Sequence, residues 1–122
     1  MSYTNFKYGN AKISSDKLKR GGSIIVSVEI SNTGSQDGEE IVQLYIHDKV
    51  ASVARPVKEL KDFEKINLKK GETKTVKFTI NEETISMYNI DMKWIAEPGE
   101  FDVWISTSSD DESQHLKFSL KE

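Results

Sequence analysis

Carboxylates are the most numerous groups in this chain that could do chemistry: twenty of its 122 residues are acidic. Two carboxyls held close together can divide the roles of acid and base or nucleophile in a hydrolysis. Glu39-Glu40, Glu82-Glu83 and Asp110-Asp111 are adjacent pairs of this kind. All three fall in or beside segments rich in turn formers, where charge keeps the backbone solvated, and that reading is favoured for each. The two histidines, His47 and His115, are far apart in sequence. Nothing near either completes a three- or four-ligand metal set, so both are read as surface residues. The run Ser106-Thr107-Ser108-Ser109 lacks a paired histidine or a nucleophile-elbow pattern. With no cysteine, there is neither a disulfide nor a thiolate site. The expectation is a chain with no catalytic residue, no metal and no cofactor.

The elements that would position these groups are strands. Ile24, Val26, Val28 and Ile30 alternate with polar residues, as do Val42, Leu44 and Ile46. Val76, Phe78 and Ile80 repeat the pattern, followed by Phe101, Val103 and Ile105, then Leu116, Phe118 and Leu120. A period of two places each set on one side of a pleated strand. A further strand is expected around Leu60–Ile66. Turn chemistry separates the runs at Asn32-Thr33-Gly34-Ser35, Lys69-Lys70-Gly71-Glu72 and Glu97-Pro98-Gly99-Glu100. Pro98-Gly99 suits a type II turn, and Glu82–Tyr88 a single helical turn capped by Asn81. Seven or eight short strands at this spacing predict an all-β fold, an immunoglobulin/fibronectin type III-like two-sheet β-sandwich.

Composition narrows the partners. Seventeen basic and twenty acidic residues give a net charge of −3, with the signs interspersed, which disfavours nucleic acid. No apolar run approaches the roughly 20 residues that span a bilayer, so no membrane partner is expected. The N-terminal MSYTNFKYGN has no basic region followed by an apolar stretch, so it is not read as a signal peptide. The compartment stays open.

Three segments in order carry a family resemblance: RPVKELKDFEK (Arg55–Lys65), KGETKTVKFTI (Lys70–Ile80) and MYNIDMKWIAEPGEF (Met87–Phe101). With VSVEISNTGSQDGEEIVQLYIHD (Val26–Asp48) before them, the chain resembles the fibronectin type III-like domain at the C-terminus of family 3 glycoside hydrolases, the β-glucosidase and β-xylosidase group. Two turn positions depart from the family: Met92 stands where glycine is frequent, and Lys70 where proline is. The resemblance implies that residues 1–12 are the linker from a preceding domain and 13–122 the sandwich. It also implies an accessory domain and no catalytic residue, since the family's nucleophile and acid/base lie on other domains.

The resemblance gives the outward faces their meaning. Ile41, Gln43 and Tyr45 lie opposite the inward set of their strand, and Asp102 and Trp104 opposite theirs. If the two strands share a sheet, Tyr45 and Trp104 share a patch. Three readings are open: it docks on the catalytic domains, the domain's own loops cover it, or it stacks on sugar rings. Arg55 either bridges to a neighbouring domain or ties its loop to Asp48 or Glu59. Tyr45, Arg55 and Trp104 are thus the candidate docking residues. The catalytic domains are the expected partner and polysaccharide the alternative, in a substrate-anchoring module. Trp94 is expected in the core.

Overall fold

The structure, a computed structural model, describes residues 5–49, 59–88, 90–106 and 114–121. The strands among them are β1 (Phe6–Ile13), β2 (Lys17–Lys19), β3 (Ser23–Asn32), β4 (Gly38–Asp48) and β5 (Glu59–Leu68). They continue with β6 (Thr73–Asn81), β7 (Met87–Tyr88), β8 (Trp94–Ile95), β9 (Gly99–Ser106) and β10 (His115–Lys121). A three-stranded sheet has the order β1-β3-β6, a five-stranded sheet the order β2-β10-β9-β4-β5, and β7-β8 form a small hairpin. Pairing is antiparallel except between β2 and β10. This is the expected all-β sandwich.

The alternating residues fill it. Ile24, Val26, Val28 and Ile30 of β3 are buried, as are Val42, Leu44 and Ile46 of β4 and Phe101, Val103 and Ile105 of β9. Each contributes roughly 1.5–3 kcal/mol by leaving water. Phe101 and Phe118 stack at 5.0 Å between centroids. Residues 6–12, assigned to the linker by the resemblance, lie within β1, which is hydrogen-bonded along β3. Phe6, Tyr8, Ala11 and Ile13 pack against the core. Asn10 sits at the irregularity in β1 with φ of 52°, a conformation asparagine tolerates better than most residues.

The turns are tied down by side chains. Asn32 is buried, and its Nδ2 donates to the carbonyls of Leu68 (3.1 Å) and Gln36 (2.8 Å), while its Oδ1 accepts from Gly34 N–H (2.9 Å). One side chain thereby joins the turn after β3 to the end of β5. In the β5–β6 turn Glu72 N–H donates to the Lys69 carbonyl at 2.8 Å and Gly71 has φ of 78°, the geometry of a type II turn. Lys70 N–H donates to Asp37 Oδ1 at 2.8 Å, a bond that proline, lacking the donor, would not make.

Two local expectations are corrected. Pro98-Gly99 does not close a type II turn: Gly99 has φ of 146° and opens β9, an extended conformation that side-chain sterics reserve for glycine. The helical turn is shorter than Glu82–Tyr88. A 3-10 turn covers Glu83–Ile85, with Asn81 Oδ1 accepting from Thr84 N–H at 3.0 Å. The chain is extended again at Ser86, because Met87–Tyr88 pair with Trp94–Ile95.

Candidate interdomain docking surface

On the outer face of the five-stranded sheet the register builds a row across four strands. His115 of β10 lies opposite Trp104 of β9, Trp104 opposite Tyr45 of β4, and Tyr45 opposite Leu60 of β5. Tyr45 and Trp104, paired in the sequence reading, are direct cross-strand neighbours. Such neighbours have Cβ atoms about 4.5–5.5 Å apart. The Tyr45 hydroxyl donates to the Gln43 side-chain carbonyl two residues back along β4, which lays the phenol along the sheet. Arg55, the third candidate, lies outside the described residues.

Trp104 is on this face but is only 5% exposed. The His115 ring stacks on the indole at 4.9 Å and 11°. His115 Nε2 is 2.9 Å from Asp102 Oδ1, as a donor to the carboxylate, and Lys49 Nζ approaches the same oxygen at 3.7 Å. Asp102 is buried although it carries charge, and these two donors compensate its desolvation. His115 is thus more than a solvated surface residue: with Asp102 it clamps Trp104. The sequence does not show this, because it depends on the register of β10 against β9.

The exposed apolar surface of the face lies one strand further on. Phe63 is opposite Gln43 and Leu60 opposite Tyr45, and Ile41 projects beside them on β4. Phe63 is 64% exposed, Leu60 51% and Ile41 48%. Ile41 is legible in the sequence as an outward residue, whereas Leu60 and Phe63 are not. The bulge between Leu44 and Tyr45, where Asp62 and Leu60 face consecutive residues, shifts the alternation of β5. Phe63 and Leu60, three apart, thereby reach the same face. Period-two counting does not find such a pair, because Leu60 falls in phase with the inward Ile66 and Leu68 and Phe63 out of phase with them.

The carboxylate pairs have structural partners. Glu82 accepts from Arg20 Nη1 at 3.2 Å and from Gly21 N–H at 3.0 Å. Glu83 accepts from Trp94 Nε1 at 3.2 Å, and Glu39 pairs with Lys65 at 3.1 Å. Asp110-Asp111 lie outside the described residues. Glu40 alternates in phase with inward Val42. Burial raises its pKa above the ordinary carboxylate value and outweighs the opposing hydrogen bonds from Ile41 N–H and the Tyr8 hydroxyl. Among the described residues no group of three or more His, Cys, Asp or Glu side chains could hold a metal ion. Between Ile46, Ile85, Met87 and Phe101 a cavity of about 10 Å³ remains, room for about one water.

Trp94 is not in the core. It is 52% exposed because β7 and β8 form their own two-stranded unit outside the main sheets. Its partner Tyr88 meets it edge-on at 5.1 Å and 63°, and its ring N–H goes to Glu83, not to the backbone.

Two sheets packed on a core of alternating residues define the class of fibronectin type III-like β-sandwiches. The profile of the fibronectin type III-like domain matches residues 40–109. The chain belongs to the fibronectin type III-like domain family, in the form carried by family 3 β-glucosidases and β-xylosidases. It is 47% identical over 109 residues to a periplasmic β-glucosidase of Salmonella typhimurium, covering 89% of this chain and 14% of that protein. A β-xylosidase of Formosa agariphila is 45% identical over 109 residues, covering 89% and 15%. Among solved structures, a β-glucosidase from Listeria innocua in complex with gluconolactone superposes with a TM-score of 0.90 at 38% identity. That match covers 100% of this chain and 17% of the other. The chain thus spans about one seventh of the length of the curated relatives it matches.

Proposed function

We propose that this chain is the non-catalytic accessory domain of a family 3 glycoside hydrolase of β-glucosidase or β-xylosidase type, and that its outer sheet face docks on the catalytic domains. The observation that carries the reading is the adjoining set Ile41, Leu60 and Phe63 beside Tyr45 on one face. Exposed apolar side chains gathered on neighbouring strands mark an interaction surface, and large rigid ones supply most of the energy of such contacts. Trp104, clamped by His115, stiffens the platform under Tyr45 and is a positioning residue within it. Arg55, outside the described residues, stays in the docking proposal on its sequence alone. Docking lowers the population of open states in the whole enzyme and so holds its catalytic domains in place.

Phe63→Glu in the full-length enzyme tests this. A charge buried in an interface without a partner costs several kcal/mol. The enzyme should therefore melt several degrees lower, while the isolated 122-residue chain melts as before, because Phe63 is exposed there. Equal melting of variant and parent enzyme would remove the docking face.

Anchoring to polysaccharide through Tyr45 and Trp104 is the weaker reading, since a stacked imidazole lies on the indole and leaves it little surface to offer a sugar ring.

A further inference from the structure

We propose that the β7–β8 hairpin is a carbohydrate-contact corner, taking one pyranose ring of an oligosaccharide against Trp94 and Tyr88. It rests on the reading above, that the chain serves a glycosidase, but uses a different surface from the docking face.

The two rings meet at 63° with centroids 5.1 Å apart, and both are more than half exposed. They form two walls of an open corner, not the flat strip that an extended polymer would need. The indole is held in place: its Nε1 donates to Glu83 Oε1 at 3.2 Å, and Glu83 belongs to a 3-10 turn whose Thr84 N–H donates to Asn81 Oδ1. Ile85 and Met87, next to the corner in sequence, are buried, and Ile85 belongs to the core cluster, which ties the hairpin to the sandwich. A fixed aromatic wall beside a carboxylate offers the two contacts a pyranose makes. Its C–H face packs on the ring, and its hydroxyls donate to the acid. Asp91 and Lys93 interleave with the apolar residues of the hairpin. A protein surface closing over the hairpin would have to desolvate those charges, whereas a sugar ring on Trp94 leaves them in water. Ile90, Met92 and Ile95 of the hairpin are exposed as well, so a protein surface is the competing occupant and its presence is an outcome of the test.

Titrating the 122-residue chain with cellotriose and with xylotriose, read by isothermal titration calorimetry, tests the corner with a signal that survives the loss of Trp94. At least one sugar should give a saturable change with Kd on the order of 1 mM. Trp94→Ala should weaken it at least about tenfold, with Trp94→Phe and Tyr88→Ala falling between. Phe63→Ala should bind as the parent, which separates this test from docking; circular dichroism checks the fold of each variant. No saturable change with either sugar, or the same change in Trp94→Ala, would overturn the proposal. So would protection of Trp94 from acrylamide quenching in the intact enzyme, which would show that protein occupies the corner.

Discussion

Glu40 is an acid placed in phase with a hydrophobic strand face, and its raised pKa has a signed consequence. The folded state holds the proton more tightly than the unfolded one. The stability linked to this group is therefore complete below the unfolded pKa and is lost as pH rises through the folded one. Glu40→Gln removes that dependence. We expect the melting temperature of the variant, relative to the parent, to rise from about pH 4 to about pH 7; a constant difference would show that Glu40 is not desolvated. Asp102 is a buried carboxylate faced by two donors, His115 and Lys49. Asp102→Asn keeps the shape but loses the charge. We expect a loss of about 1–3 kcal/mol in urea unfolding, with Trp104 emission shifted to the red as its clamp loosens.

Among the elements, turns and the hairpin divide what sequence makes legible from what it does not. The inward sets of β3, β4, β6, β9 and β10 are legible because burial acts on each residue alternately, a local signal. The turn at Lys69-Lys70-Gly71-Glu72 is legible from its glycine, whereas its type II geometry comes from the structure. Trp94 is not: a tryptophan next to isoleucine and alanine looks like core, and only the separation of β7–β8 from the sheets exposes it. Phe63 and the His115–Trp104 stack depend on a bulge and on register, which are set by tertiary pairing. Asn32 was read as a turn former but acts as a buried staple with three hydrogen bonds. We expect Asn32→Ala to cost about 2–3 kcal/mol, measured by denaturant unfolding, since it orphans backbone groups at both turns. Met92, at φ of 59°, bears a left-handed conformation that costs about 1 kcal/mol or more for a side chain with a Cβ. Met92→Gly should therefore raise the melting temperature by a few degrees or less.

At the scale of the whole molecule, the docking proposal predicts that an enzyme lacking this domain melts lower or is less soluble. Full activity with unchanged melting after deletion would contradict it. The strand order carries a different consequence. β10 is an inner strand, paired with β9 on one side and with β2 on the other, where Ser119 lies opposite Lys17. Nearly the whole chain separates those partners, so the loop-closure entropy is met late and folding is slow for the size of the domain. On the ribosome, β2 waits for a mate that is synthesised only after β3–β9. Until β10 emerges, the five-stranded sheet stands open along β9, and the half-made domain carries a bare edge of the kind that recruits neighbouring chains.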